Sequence, residues 1–118
     1  MGLKRKLREL VFRWVSERRK YPRVPLSVKV TKIENGSFQY CQASNISAAG
    51  LFIKASEPLS VGVRLRLAIA LPRRPIEVEG MVIRVMLDEG YPSGMGVKFD
   101  PLPEEKRQLI EEYVAQEM

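Results

Sequence analysis

The sequence predicts a mainly β domain with a helix at each end, folded as a small antiparallel barrel or sandwich. Three observations predict it. Six short stretches between residues 24 and 99 alternate apolar and polar side chains or are rich in β-branched and aromatic residues. Gly, Pro and Asn separate them at short spacing. At both ends of the chain the two-residue period gives way to the three-to-four spacing of an amphipathic helix. Six short strands flanked by helices bury their apolar faces most simply by closing or stacking a sheet. At 118 residues the chain is one domain with one small core.

In chain order, residues 2–17 read as a helix. Leu3, Leu7, Leu10, Val11 and Trp14 make one face, and Lys4, Arg5, Arg8 and Arg13 the other. Pro22 stops it, because the residue before a proline is pushed out of the α region. Residues 18–23 are then a basic connector. Residues 24–33 alternate, with Leu26, Val28 and Val30 on one face and Ser27, Lys29 and Thr31 on the other. Asn35-Gly36 predicts a hairpin turn in which both residues tolerate positive φ. A second strand covers about 38–44, and a turn around Asn45–Gly50 leads to a short third strand, 51–55. Pro58 and Gly62 mark a loop. Val63, Leu65, Leu67, Ile69 and Leu71 give the fourth strand, and Pro72-Arg-Arg-Pro75 a tight link. Residues 76–87 form a long strand whose apolar phase changes around Gly80, which predicts a bulge or bend there. Met95, Val97 and Phe99 give the last strand. Pro103, Glu104 and Glu105 open a C-terminal helix with Leu109, Ile110, Tyr113 and Val114 as its apolar stripe.

Composition narrows the function. One cysteine (Cys41) and no histidine leave no intramolecular disulfide and no zinc site, which fits a reducing cytoplasm. Cys41 falls mid-strand, where packing rather than reactivity is its ordinary role. No apolar run approaches the ~20 residues of a membrane span. Arg13 interrupts the only signal-like stretch, so no signal peptide is expected. No nucleophile–base pair is visible, and an enzyme is not expected. Glu77 and Glu79 share a strand face without a catalytic partner and read as surface charge. The net charge of +6 is uneven: residues 1–23 hold nine Lys/Arg against two Glu, while the remainder is nearly neutral. An anionic partner meets the N-terminal segment first.

Two motifs carry chemistry. Arg18 precedes Arg19-Lys20-Tyr21-Pro22-Arg23, an R-x-x-x-R. Arginine presents a rigid donor fork that matches guanine O6 and N7 as well as phosphate oxygens, and its plane stacks on a base. The ordinary alternative is a solvated basic linker. Asn45-Ile46-Ser47-Ala48-Ala49-Gly50 is an N-x-S-x-x-G. Asn45 and Ser47 lie two apart and point the same way at a strand end. An amide and a hydroxyl can donate to and accept from a guanine edge or a phosphate. Gly50 permits a left-handed or closely approached backbone. The ordinary alternative is a loop with local turn hydrogen bonds. Together the motifs suit an anionic, guanine-containing ligand.

In this order, and followed by β-rich sequence, the two motifs resemble the signature of the PilZ domain family. The resemblance runs over about residues 18–115. It includes Leu59-Ser-Val-Gly-Val-Arg-Leu-Arg-Leu67, similar to the family's strand after a glycine, and Gly94-Met-Gly-Val-Lys-Phe99, similar to its closing strand. Asparagine at position 45 is within the family pattern. The resemblance implies a six-stranded antiparallel β-barrel (the family's split barrel) with an N-terminal amphipathic helix and a C-terminal helix. The parts would be a helix over 1–17, a flexible connector over 18–23 and the barrel with its terminal helix over 24–118. It implies a non-catalytic receptor for cyclic di-GMP with no other cofactor. Arg19 and Arg23 would grip guanine and phosphate, Asn45 and Ser47 would contact a guanine from the barrel, and Gly50 would shape the turn. A cation at Arg18 would favour a stacked ligand dimer over a single molecule. Lys98 should face outward at the border of this surface, ordinarily as a solvated lysine.

The expected mechanism is a clamp: ligand orders the connector against the barrel and re-presents helix 2–17 to a protein partner. The resemblance points to motility, adhesion, polysaccharide secretion or virulence as the process. The helix has three roles open to it: packing on its own barrel, pairing with a second copy to make a homodimer, or lying on an acidic membrane surface. Competing readings are a PilZ-type structural protein without ligand binding, and a basic nucleic-acid-binding protein. Nucleic acid is not expected, for want of a recognition helix or a row of stacking aromatics.

Overall fold

Alternating apolar residues in short runs, separated by glycine, proline and asparagine, fold here into strands that close on themselves. The computed structural model of the protein describes residues 26–87 and 93–117. The strands are β1 (Leu26–Lys32), β2 (Phe38–Ser47), β3 (Gly50–Lys54), β4 (Arg64–Ile69), β5 (Ile76–Met86) and β6 (Gly94–Phe99), followed by helix α1 (Glu104–Glu117). They close into a barrel in the order β1-β2-β3-β6-β5-β4, every neighbouring pair antiparallel. Closure decides for a barrel over a sandwich. Helix 2–17 and connector 18–23 lie outside the described residues.

Inward positions supply the core. Val28, Val30, Ile53, Leu65, Leu67, Ile69, Val82, Met95 and Val97 are almost wholly buried. Each such side chain contributes about 1.5–3 kcal/mol by leaving water. Helix α1 starts with Glu104 and Glu105, which favour the positive end of its dipole. It lays Leu109 and Ile110 into the core, with Tyr113 and Val114 beside them. Ion pairs between the β4–β5 link and α1, Arg73 with Glu112 at 2.7 Å and Arg74 with Glu105, tie the helix down.

The barrel has two distinct ends. The start of β1, the β2–β3 turn, the start of β5 and the finish of β6 share one end. The β1–β2 hairpin and the 55–63 connection lie at the other. That connection must cross from β3 to β4, three places round the ring, and Leu59 and Val63 pack on the core as it crosses.

Two local expectations are corrected. In the β1–β2 hairpin only Gly36 is left-handed (φ 76°). Lys32 and Ser37 close a four-residue loop, and Asn35 is used through its side chain, whose Oδ1 accepts from the Ser37 amide at 2.9 Å. The irregularity in β5 is at residues 82–84, not at Gly80, which pairs regularly with Leu65 and Phe99. One extra residue there leaves Ile83 outside (51% exposed) and brings Val85 against the core. The phase change read from the sequence was real, and lies three residues further on.

Candidate functional site

The N-x-S-x-x-G segment is mostly strand. β2 runs through Asn45 and Ile46 to Ser47, so only Ala48 and Ala49 are left for the turn into β3. Ser44 pairs with Phe52 and Ser47 with Gly50, so β2 holds one residue more than β3 across this interval. Such a bulge reverses the side-chain phase. Ala43 is buried, and strict alternation would turn Asn45 and Ser47 inward with it. After the bulge Ile46 packs against the core instead, and Asn45 and Ser47 are exposed. The sequence had these two side chains on one side; the bulge makes that side the outer one.

Asn45 is the residue that allows this. Its φ of 53° is the only positive value outside glycine among the described residues. Asparagine enters the left-handed region more readily than most residues with a Cβ. Its amide makes no hydrogen bond to another described residue and so presents a free donor and acceptor. The Ser47 Oγ accepts from the Ala49 amide at 3.1 Å, and the Ala49 carbonyl accepts from the Phe99 amide at 2.8 Å. The turn is therefore stitched to β6.

Gly50 acts by close approach. Its φ is not left-handed, but a Cβ there would lie 2.1 Å from the Val97 carbonyl oxygen. No side chain fits without moving β6 away from β3.

The barrel face beside the motif carries cations that its sequence separation conceals. Gly50 pairs with Lys98 of β6, so Ser47, Gly50 and Lys98 form one row across three strands. With no side chain at Gly50, the Ser47 hydroxyl and Lys98 flank a bare strip about two strand spacings wide, roughly 10 Å. The next row holds Ser44, Phe52, Gly96 and Arg84. Lys98, Arg84 and Lys54 have no ion-pair partner among the described residues. The sequence reading placed Lys98 correctly as outward. It missed Arg84 and Lys54, and only the strand register brings them to this face.

The adjoining stretch of wall, β4, the first half of β5 and the end of β6, is neutralised. Arg64 grips Asp100 with two hydrogen bonds of 2.9 and 2.5 Å, and Arg66 reaches Glu79 at 3.2 Å and Glu77 at 3.9 Å. The hydrogen bond from Arg64 holds the Asp100 carboxyl below its usual range. The one from Arg107 does the same to Glu104. Glu77 and Glu79 are thus surface charge with partners. Cys41 is half-buried, and desolvation raises its thiol pKa, as suits a packing residue rather than a thiolate nucleophile.

Arg18, Arg19 and Arg23 lie outside the described residues, so the structure brings together only Asn45, Ser47 and Gly50 of the predicted set. No helix of the described residues is long and apolar enough to cross a membrane.

Comparison with known proteins follows this geometry. The family model described as PilZ domain matches residues 17–116. Among solved structures, the chain is similar to the Bacillus subtilis inhibitor of motility (MotI/DgrA), at 25% identity and a TM-score of 0.66 over 83% of this chain and 50% of that one. It thus spans about half of that protein. The fold is also that of the PilZ domain of YcgR from Escherichia coli, solved with c-di-GMP, at 14% identity, a TM-score of 0.60 and coverage of 80% and 86%. The PilZ domain of CeSA from a cellulose-synthesizing bacterium matches at 14% identity and a TM-score of 0.54, over 80% of this chain and 95% of that one. No curated protein matches.

Proposed function

The chain belongs to the PilZ domain family, and we propose that within it this protein is a non-catalytic receptor for cyclic di-GMP that signals through contact with another protein. The observation that carries the reading is the β2 bulge. It turns the free Asn45 amide and the Ser47 hydroxyl outward, onto the face whose cations lack carboxylate partners among the described residues. A dianionic, guanine-bearing ligand matches that face in both charge and hydrogen bonding.

Covalent geometry bounds where the second half of the proposed site can lie. Leu26 pairs with Ala43, two residues before Asn45. Arg23 lies three residues ahead of Leu26, so its Cα stays within about 11 Å of Leu26 whatever the chain does. Arg19 stays within roughly 25 Å. That span leaves both arginines able to reach the motif from the strand that borders it. A ligand held by Asn45 and Ser47 on one side and by Arg19 and Arg23 on the other links barrel to connector and biases the position of segment 2–17. The shift equals the ligand's differential affinity for the two arrangements. Similarity to an inhibitor of motility makes motility the first process to examine.

Calorimetric titration with cyclic di-GMP at physiological salt tests the reading. The parent binds. Arg19→Ala and Arg23→Ala each weaken binding by roughly 10- to 100-fold, the worth of a charge-assisted hydrogen bond. Cyclic di-AMP does not compete. A folded parent that ignores cyclic di-GMP overturns the reading. Two ligands per chain would support a stacked dimer at Arg18, and one would remove it. Amide exchange in residues 1–23 slows on saturation if the clamp operates, and is unchanged if it does not.

A further inference from the structure

We propose that residues 38–41 of β2 form a docking edge for an extended, acidic segment of a partner protein, at the barrel end away from the Asn45 bulge.

Among the described residues, β2 outruns its neighbour β3 here. β2 begins at Phe38, but its pairing with β3 begins only at Gln42, opposite Lys54. After Lys54 the chain turns away, and the Ala55 amide donates to the Ser93 carbonyl at 3.0 Å. The first residues of β2 therefore have β1 on one side and, among the described residues, no strand on the other. Backbone direction follows from the hairpin. The Lys32 amide donates to the Ser37 carbonyl at 2.8 Å, so in steps of two Gln39 and Cys41 face β1. Phe38 and Tyr40 then aim their amides and carbonyls at the open side, where no described backbone group meets them.

Such an edge is a template for another strand, and proteins ordinarily blunt it with charge, proline or a bulge. Residues 38–41, Phe-Gln-Tyr-Cys, contain none of these. Instead the edge displays aromatic rings, Phe38 at 56% and Tyr40 at 75% exposure, set edge to face at 5.9 Å. Ile33, Val61, Ile83 and Leu87, all exposed, lie at this same end of the barrel.

Charge selects the occupant. Strands β1, β2 and β3 carry Lys29, Lys32 and Lys54 and no carboxylate. Lys29 sits 4.4 Å over the Phe38 ring, and Lys54 stands where the open edge begins. Glu34 and Glu57 are confined to the flanking loops. The fit is a strand with apolar side chains opposite Phe38 and Tyr40 and acidic ones beside them, held by main-chain hydrogen bonds. A second copy would bring lysines to lysines. The edge is separate from the ligand motif, so this inference stands or falls independently of cyclic di-GMP binding.

The test uses the full chain and the probe peptide acetyl-Glu-Thr-Val-Thr-Val-Thr-Glu-amide, followed by amide NMR. In the free protein the Phe38 and Tyr40 amides exchange without protection. The peptide shifts and protects them, with a dissociation constant in the millimolar range or below. Three changes each weaken it at least tenfold: lysine for glutamate in the peptide, N-methylation of its two valines, and Tyr40→Lys in the protein. Protection already present in the free chain at low concentration means that the chain covers its own edge, and overturns the proposal. Protection that appears only with rising protein concentration makes the occupant a second copy and also overturns it. So do equal binding of the lysine or N-methylated peptide, and absence of any shift at residues 38–41.

Discussion

Two sides of one barrel wall have opposite electrostatic designs. On β4, β5 and α1, cations are placed opposite carboxylates: Arg64 with Asp100, Arg66 with Glu79, Arg73 with Glu112, Arg107 with Glu104. On β3, β6 and the far end of β5, Lys54, Lys98 and Arg84 have no such partner among the described residues. The first side answers its own charge. The second leaves charge for something else to neutralise. Ordinary surface lysines need no explanation. What singles this face out is its place beside an unpaired Asn45 amide held at positive φ. A backbone conformation that costs free energy and presents a free polar group is a common mark of a binding site.

The largest effect that would break the contrast is backbone damage on the bare side. Gly50→Ala drives a Cβ into the Val97 carbonyl and should lower stability by about 3 kcal/mol or more. Denaturant unfolding reads this directly, and a parent-like midpoint would show that β3 and β6 can part there. Next comes the bulge. Asn45→Ala puts a plain Cβ side chain at φ 53° and should cost about 1 kcal/mol, whereas Asn45→Gly keeps or slightly raises stability. Because Asn45→Gly also removes the amide, it should bind cyclic di-GMP more weakly while unfolding like the parent. That pair of results separates what Asn45 does for the fold from what it does for a ligand.

The ion-paired side should show itself in acid. Asp100 and Glu104 have folded pKa values below their unfolded ones. Their contribution is present above the unfolded carboxylate range, around pH 4, and is lost as pH falls through the lower folded values. The melting temperature should therefore decline on acidification below about pH 4. Arg64→Gln should flatten the part due to Asp100. Smallest of all, Lys98→Ala should leave the melting temperature unchanged, since no partner is lost. It should instead make cyclic di-GMP binding less sensitive to salt, whereas an unchanged salt slope would leave Lys98 outside the ligand's field.

The sequence reading was strongest where a period was strong. β4, with alternating Leu65, Leu67 and Ile69, and β6, with Met95, Val97 and Phe99, came out inward as the pattern required. It slipped where one inserted residue changes the phase. The β5 shift was legible as an event but was attached to Gly80, because glycine is the usual marker of a bulge, while the extra residue sits at 82–84. At Asn45 the same device was hidden inside a motif that read as a turn. For Gly50 the sequence left a left-handed or a closely approached backbone open, and the close approach is what holds. The left-handed residue is Asn45, and Gly50 is there for contact with a strand 47 residues away in sequence.

By itself the sequence determined the number and order of strands, the C-terminal helix, the basic front end and which hydrogen-bonding side chains stand in the two motifs. These follow from local periodicity, charge and hydrogen-bonding type, which are properties of neighbouring residues. The closed barrel that the resemblance implied is borne out, but only the tertiary structure decided that Asn45 and Ser47 face outward through a bulge, that Lys54, Arg84 and Lys98 share their face, and that β2 outruns β3. Each of these depends on which residue of one strand lies opposite which residue of another, and register is fixed by packing and bulges across the barrel rather than by either strand alone.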